Sequence, residues 1–182
     1  MNTQQAEAVR HTEGPLLIMA GAGSGKTRVL THRIAYLLHE KMVNPWNILA
    51  ITFTNKAAAE MKERVQALIP EGGDEVLVST FHSLCVRLLR RDIEAIGYSR
   101  NFTIADTGMQ KTLIKQIMKK INLSEKMYSP NMLLNQISQA KNELIDEKEY
   151  RNQAQTLVEK RVADVYELYQ KELRLAESLD FD

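Results

Sequence analysis

The sequence predicts an α/β fold in which a parallel sheet is covered by helices and is followed by an all-helical domain. In the first part of the chain, short apolar runs alternate with amphipathic helical patterns, which is the arrangement of a helix-covered parallel sheet. Beyond about Phe102 the strand signals stop, and Lys, Glu, Gln and Asn become more frequent. We therefore expect a first domain at residues 1–102, a helical domain at 103–175, and the start of a return to the first domain at 176–182.

Three buried strands are predicted, each a nearly continuous apolar run of the kind that central parallel strands need: residues 16–20 (LLIMA), 48–53 (ILAITF) and 76–80 (VLVST). Each run is followed by apolar residues at helical spacing, which predicts helices at residues 26–38, 57–69 and 83–96. Gly97 is expected to end the third helix.

The predicted helical domain begins with a helix start at Asp106 or Thr107. A second start lies at Ser129, with Pro130 in the first helical position, and a long helical run follows Glu147. The apolar side chains of that run recur three or four residues apart without sustained heptads, so we expect a packed helix and not a coiled coil.

Composition excludes several classes of protein. With 182 residues, of which 44% are hydrophobic, the chain has the apolar content of a folded domain, and its single cysteine, Cys85, excludes an intrachain disulfide and a cysteine-rich zinc site. We expect a cytoplasmic protein, and no apolar run is long enough to span a membrane. Because the net charge is only +1, any contact with nucleic acid must come from a local groove.

The strongest motif is a glycine-rich loop between the first predicted strand and the first predicted helix. It consists of Ala20, Gly21, Ala22, Gly23, Ser24, Gly25, Lys26 and Thr27. Glycines let the backbone fold closely around phosphates, and the loop N–H groups and the helix N-terminus favour anions. Lys26 is suited to the β- and γ-phosphates, and Thr27 to Mg²⁺. The usual pattern begins with Gly, whereas this chain has Ala20.

Further motifs lie on both sides of the loop in the sequence. They are formed by Asn2, Gln5 and Ala8 near the N-terminus, by residues 51–58 (ITFTNKAA) and by residues 79–84 (STFHSL). Through these motifs and the loop, the chain resembles the UvrD/PcrA-type helicases of superfamily 1 over its whole length. The resemblance implies a partial RecA-like P-loop sheet with helices on both faces, followed by a helical domain inserted into it. It also implies that ATP and Mg²⁺ are the cofactors.

The resemblance gives roles to two residues near the loop. It implies that Gln5 reads the adenine base, which suits an amide because an amide both donates and accepts hydrogen bonds. It also implies that Arg28 is a further nucleotide contact. The alternatives are a solvated N-terminal glutamine and a solvent-facing helix arginine.

The carboxyl ends of the second and third predicted strands carry a second set of polar and aromatic residues. The resemblance implies that this set binds single-stranded DNA: Thr52, Phe53, Thr54, Asn55 and Lys56, with Thr80 and His82. Phe81 extends this set of residues, and an aromatic ring can stack on any base. The alternatives are that Phe53 is core, that Asn55 only caps the next helix and that His82 is structural. Arg87, Arg90 and Arg91 on the next predicted helix are suited to phosphates or form a solvated face.

No strand ending in the acidic pair needed for ATP hydrolysis is evident. Asp106 follows a short apolar run, but no second acid follows it, and we interpret it as a helix cap. The resemblance implies that the acidic motif, the arginine fingers and the remaining motor domains lie beyond Asp182. We therefore expect weak ATP binding and no DNA-stimulated hydrolysis from these residues alone.

The expected function is that of the N-terminal part of an ATP-dependent 3′-5′ DNA helicase that binds ATP and single-stranded DNA. Two alternatives remain open. One is a nucleotide-gated DNA-binding module without turnover, and the other is a small-molecule phosphotransferase in which the helical part acts as a lid.

Overall fold

A computed structural model describes all residues from 1 to 182, and these form two compact units, Met1–Arg87 and Leu88–Asp182. The division between the units falls inside a helix, earlier in the chain than the domain boundary expected after residue 102. The division into functional domains therefore stays a prediction.

The first unit is a small α/β structure. Its elements in chain order are α1 (Thr3–Arg10), α2 (Lys26–His39), β1 (Leu49–Thr52), α3 (Asn55–Leu68), β2 (Leu77–Thr80) and the beginning of α4 (Phe81–Asp92). Strands β1 and β2 pair in parallel, with Leu49 opposite Leu77 and Thr52 opposite Thr80. The α/β class and two of the three predicted strands are thus confirmed.

The core of the first unit lies between its helices and strands. α3 contributes Met61 and Val65, whose four-residue spacing places both on one face of the helix. They pack with Ile34 of α2 and with Ile48 and Val76, which directly precede the two strands. This core fixes the position of α2 and of the strand ends, which carry the candidate site.

The predicted strand at residues 16–20 is wrong. The segment makes no ladder with either strand of the unit, and Leu17 and Met19 are 86% and 90% exposed. A continuous apolar run becomes a buried strand only where neighbouring strands satisfy its backbone groups. β1 pairs only with β2, so no such neighbour flanks this segment.

The second unit is mainly helical. After α4 and a 3₁₀ turn at Ile93–Ile96, its elements are β3 (Thr103–Ile104), α5 (Thr107–Lys120), α6 (Pro130–Asn142), α7 (Glu147–Gln153), α8 (Leu157–Leu175) and β4 (Ser178–Leu179). Gly97 ends the 3₁₀ turn in the left-handed region, with φ of 83°, as the sequence predicts for a glycine at a helix end. None of the helices in the chain is long and apolar enough to cross a membrane.

Two features of the second unit differ from the sequence prediction. β3 and β4 form a parallel pair, with Thr103 opposite Ser178, which two-residue strands are too short to reveal by periodicity. The single long helix expected after Glu147 is two helices. The second begins with a capping box in which Thr156 accepts from the Glu159 N–H and the Glu159 carboxylate accepts from the Thr156 N–H.

The predicted helix starts at Asp106 and Ser129 are confirmed. Asp106 is the N-cap of α5, and its carboxylate accepts a hydrogen bond from the Met109 N–H at 2.8 Å. Ser129 caps α6 in the same way, with Pro130 in the first helical position. Each cap satisfies one of the N–H groups that a helix start leaves without a partner.

The second unit has a large core and one buried ion pair. Thirteen buried side chains between Ala105 and Leu173 form one cluster, which includes Tyr166 and Tyr169. Next to it, Lys141 pairs with Asp180, whose side chains are only 13% and 4% exposed, and the Tyr169 hydroxyl donates to the same carboxylate at 3.1 Å. Burial raises the pKa of Tyr166 to about 12. The Lys141–Asp180 pair joins the segment after β4 to α6 by a charged contact.

Candidate functional site

The glycine-rich loop leads directly into the N-terminus of α2. Gly23 and Gly25 have φ of 74° and 84°, in the left-handed region that residues with a Cβ rarely adopt, and Gly25 is the N-cap of the helix. Lys26 and Thr27 are the first two residues of α2. The free N–H groups of the first helical turn therefore face the end of the loop, as an anion site requires.

Lys26 lies over the loop without an acidic partner. Its Nζ donates to the carbonyl oxygens of Ala20 and Gly21, at 3.0 and 2.8 Å, and the side chain is exposed. No carboxylate is within salt-bridge distance of it. The positive charge is therefore available to an anionic ligand that replaces the two carbonyls.

Gln5 connects α1 to the same loop. Its Nε2 donates to the Ser24 carbonyl at 2.9 Å, and its Oε1 accepts from the Asn2 N–H at 3.0 Å. Asn2 in turn accepts from the Gln5 N–H at 2.8 Å, which completes a capping box at the start of α1. The structure thus brings together two motifs that are 19 residues apart in the sequence. The Asn-x-x-Gln spacing could have indicated the capping box, but not the contact with Ser24.

The loop residues fit a nucleotide that brings its own metal ion. A Cβ added to Gly21 or Gly23 would meet no atom within 4 Å, so the space beside the loop is open. Nowhere in the chain do three His, Cys, Asp or Glu side chains converge as a metal site would require. A magnesium ion here would therefore depend on the half-buried Thr27 hydroxyl and on the phosphates themselves. Arg28, next to Thr27, is exposed.

The second group of candidate residues lies where β1 and β2 end. Because Thr52 is opposite Thr80 in the ladder, the residues that follow the two strands come out at the same edge of the sheet. Phe53 is 99% exposed and Phe81 is 63% exposed. The alternative that Phe53 is a core residue is therefore wrong, and two aromatic rings stand in solvent at this edge.

A hydrogen-bond network links the two strand ends. The Thr80 Oγ1 lies 2.8 Å from the Ser83 Oγ and 3.4 Å from the Asn55 Oδ1, and Thr80 is only 7% exposed. The cap of α3 is Thr54, which accepts from the Ala57 N–H at 3.1 Å, so the interpretation of Asn55 as the cap is wrong. Asn55 is the first residue of the helix, and its amide contacts the neighbouring strand end instead.

The remaining polar residues at this edge differ in exposure and in partners. Lys56 is exposed, and Thr52 donates to the Thr54 carbonyl at 3.1 Å. His82 is also exposed, and its ring meets that of Phe81 edge-on with the centroids 6.2 Å apart. Exposed cationic, amide and aromatic groups are the kinds of contact that single-stranded nucleic acid uses.

Two of the arginines on α4 have structural partners. The Arg90 guanidinium lies 4.1 Å from the centre of the Phe102 ring and donates to the carbonyls of Arg100 and Phe102. Arg91 pairs with Asp92 at 2.7 Å. Both side chains are therefore engaged within the second unit, whereas Arg87, at the end of the first unit, is exposed.

Comparison with known proteins gives one family. Residues 1–182 match the model of the UvrD/REP helicase N-terminal domain. The chain is 59% identical over 182 residues to the ATP-dependent DNA helicase PcrA of Bacillus subtilis and 58% identical to that of Staphylococcus aureus. It is 56% identical over 183 residues to PcrA of Leuconostoc citreum. All of this chain is covered in each case, but it spans only 25%, 25% and 24% of these relatives.

Proposed function

The chain belongs to the UvrD/REP helicase family, and from that premise we propose that it binds ATP and single-stranded DNA within an ATP-dependent DNA helicase. The observation that carries the proposal is the convergence of Lys26, the glycine loop and Gln5 on one exposed face of the first unit. The family match argues against the phosphotransferase alternative.

The phosphates of the nucleotide would bind at the loop. Free N–H groups of the loop and of the first turn of α2 would receive them, and Lys26 would exchange the carbonyls of Ala20 and Gly21 for phosphate oxygens. A bound Mg²⁺ would neutralise charge on the phosphates, with Thr27 as its protein ligand. Arg28 would add a further contact from the exposed surface of α2.

The adenine base would lie beside Gln5. This amide is already placed at the loop by its bond to Ser24, and one Nε2 hydrogen and one Oε1 lone pair remain for a base edge. The base end and the phosphate end of a nucleotide would then be held by residues that contact each other through the loop.

Single-stranded DNA would bind at the common edge of β1 and β2. Phe53 and Phe81 are exposed there, and the rings would stack on bases without selecting a sequence. Charged and polar side chains lie along the same edge and would contact the strand: Thr52, Thr54, Asn55, Lys56, Thr80 and His82. Thr80 would act mainly by fixing Asn55, because its hydroxyl is buried in the network between the strand ends.

The nucleotide-binding part of the proposal is tested by calorimetric titration of Mg·ATP into the full-length protein that contains this chain. Lys26→Ala should abolish binding without lowering the unfolding temperature, because the side chain is exposed and outside the core. The matched control is Lys41→Ala, an exposed lysine just after α2, which should bind as the wild type does. Equal ATP affinity in wild type and Lys26→Ala would contradict the proposal.

The direction of movement needs a separate experiment. We propose 3′-to-5′ translocation, which predicts that the full-length protein separates duplexes with a 3′ single-stranded tail and leaves duplexes with a 5′ tail intact. Separation of only the 5′-tailed duplex would reverse the proposed polarity. DNA and ATP binding with neither strand separation nor hydrolysis would favour a nucleotide-gated module without turnover.

A further inference from the structure

Arg33 makes a long-range contact that the proposed roles do not explain. It lies in α2, and its Nη1 donates to the Ala8 carbonyl oxygen of α1 at 2.7 Å, across 25 residues of sequence. The side chain is half-buried and forms no ion pair. A half-buried arginine whose bonding partner is a single backbone carbonyl holds that carbonyl in place.

The acceptor is one of the carbonyls that the end of α1 leaves without a helical partner. α1 ends at Arg10, so no N–H of the helix reaches the Ala8 oxygen. The guanidinium therefore both satisfies this carbonyl and places positive charge at the negative end of the helix dipole. Arg33 acts as the C-terminal cap of α1, supplied from another helix.

The other end of α1 contacts the glycine-rich loop. Gln5, in the first turn of α1, donates to the Ser24 carbonyl, and a Cβ on Gly25 would lie 3.2 Å from the Gln5 Nε2. Arg33 lies about two helical turns beyond Lys26 on the same face of α2. These two bonds are the side-chain hydrogen bonds that join α1 to the rest of the first unit, where Val9 is its one buried residue.

We propose that Arg33 is a positioning residue for the base end of the nucleotide. By holding the end of α1 against α2, it fixes Gln5 at the loop, so that base and phosphate contacts form in one geometry. Losing the bond frees α1 to move about the Gln5–Ser24 contact and leaves the glycine-rich loop itself unchanged. The inference rests on the proposed binding of ATP at this loop, and it concerns the base and not the phosphates.

The test compares ATP with inorganic tripolyphosphate, which has the phosphates and lacks the base. Both are titrated with Mg²⁺ into the full-length protein. Arg33→Ala should weaken ATP binding about tenfold, the effect of one charge-assisted hydrogen bond, and leave tripolyphosphate binding unchanged. Arg33→Lys, which keeps the charge and a donor, should recover part of the loss. Arg10→Ala, which removes an exposed charge from the last turn of α1, should change neither affinity.

A double variant separates positioning from general damage. If Arg33 acts through Gln5, then Arg33→Ala combined with Gln5→Ala should bind ATP no more weakly than Gln5→Ala alone. Should Arg33→Ala fail to fold, as judged by thermal unfolding, Arg33→Gln takes its place in the same titrations with the same expected loss. Equal weakening of ATP and tripolyphosphate, or additive losses in the double variant, would overturn the inference.

The same titrations distinguish the role of Arg33 from the ATP site itself. A wild type that prefers ATP to tripolyphosphate, together with an Arg33→Ala variant that keeps the same preference, would overturn the role of Arg33 alone. A wild type that binds neither ligand would defeat the proposed ATP site, and the role of Arg33 with it.

Discussion

The two compact units of the chain differ in how they use apolar and charged side chains. The second unit buries thirteen residues in one core and encloses the Lys141–Asp180 pair. The first unit has a core of five residues and leaves Leu17, Met19 and Phe53 almost fully exposed. The loop and strand-end residues proposed to bind ligands all lie in the first unit.

The proposed binding residues and the main stabilising residues are therefore separate sets. Gln5, Lys26 and Arg33 are held by hydrogen bonds from their side chains to backbone carbonyls, whereas the second unit is held by burial. Substitutions in the second unit should therefore change stability first, and those in the first unit should change ligand binding first.

Lys141→Met should lower the free energy of unfolding of the second unit by about 3–5 kcal/mol, because it leaves the buried Asp180 carboxylate without its cation. Denaturant unfolding followed by circular dichroism measures the loss. Combining it with Asp180→Leu should restore most of the stability, since no unpaired charge then remains. The control Lys148→Met alters an exposed lysine on α7. If Lys141→Met lowered the free energy of unfolding no more than Lys148→Met does, the Lys141–Asp180 pair would be solvated.

Leu133→Ala should lower the same free energy by about 2–5 kcal/mol, the usual cost of a cavity at a fully buried leucine. Leu144→Ala is the matched control in the same unit, because Leu144 is 90% exposed and contributes little to the core. Chemical denaturation of both variants measures the difference. Similar stability of the two variants would mean that the core cluster does not hold the unit.

The sequence predicted more of the local structure than of the contacts. Strands β1 and β2 and the caps at Asp106 and Ser129 could be predicted because each leaves a short-range pattern. The strand at residues 16–20 could not be judged from its own residues, because a strand depends on its neighbours.

The candidate site shows the same limit. The glycine-rich motif from Ala20 to Thr27 is contiguous and could be predicted. The Gln5–Ser24 and Arg33–Ala8 bonds join distant residues and leave no local signal. The residue type of Phe53 is compatible with both the core and the surface, and its 99% exposure in the fold decides between them. Burial is a property of the folded chain and not of a single residue type.

Phe53→Ala should weaken single-stranded DNA binding by the full-length protein by about 1–3 kcal/mol, the cost of losing one stacking ring. The unfolding temperature should not change, because the ring is exposed. Fluorescence anisotropy with a labelled oligonucleotide measures the affinity. The control is Trp46→Ala, which removes an exposed aromatic residue that precedes β1 and does not follow a strand. A binding isotherm identical to that of the wild type would remove Phe53 from the residues proposed to bind DNA.

Leu17→Ser should change the free energy of unfolding of this chain by less than about 0.5 kcal/mol, the range typical of exposed positions. The same result is expected for Met19→Ser, which is also exposed and outside any ladder. Denaturant unfolding of the 182-residue chain checks both. A loss comparable to that of Leu133→Ala would mean that the segment at residues 16–20 is packed in solution.

The rate of phosphate release by the full-length protein, measured with and without single-stranded DNA, tests both proposed binding sites at once. We expect DNA to stimulate release by the wild type, and Lys26→Ala to show no release above background in either condition. Phe53→Ala should keep its DNA-independent rate and need more DNA for half-maximal stimulation. DNA-stimulated release that persists in Lys26→Ala would contradict the proposal that the glycine-rich loop binds the phosphates of ATP.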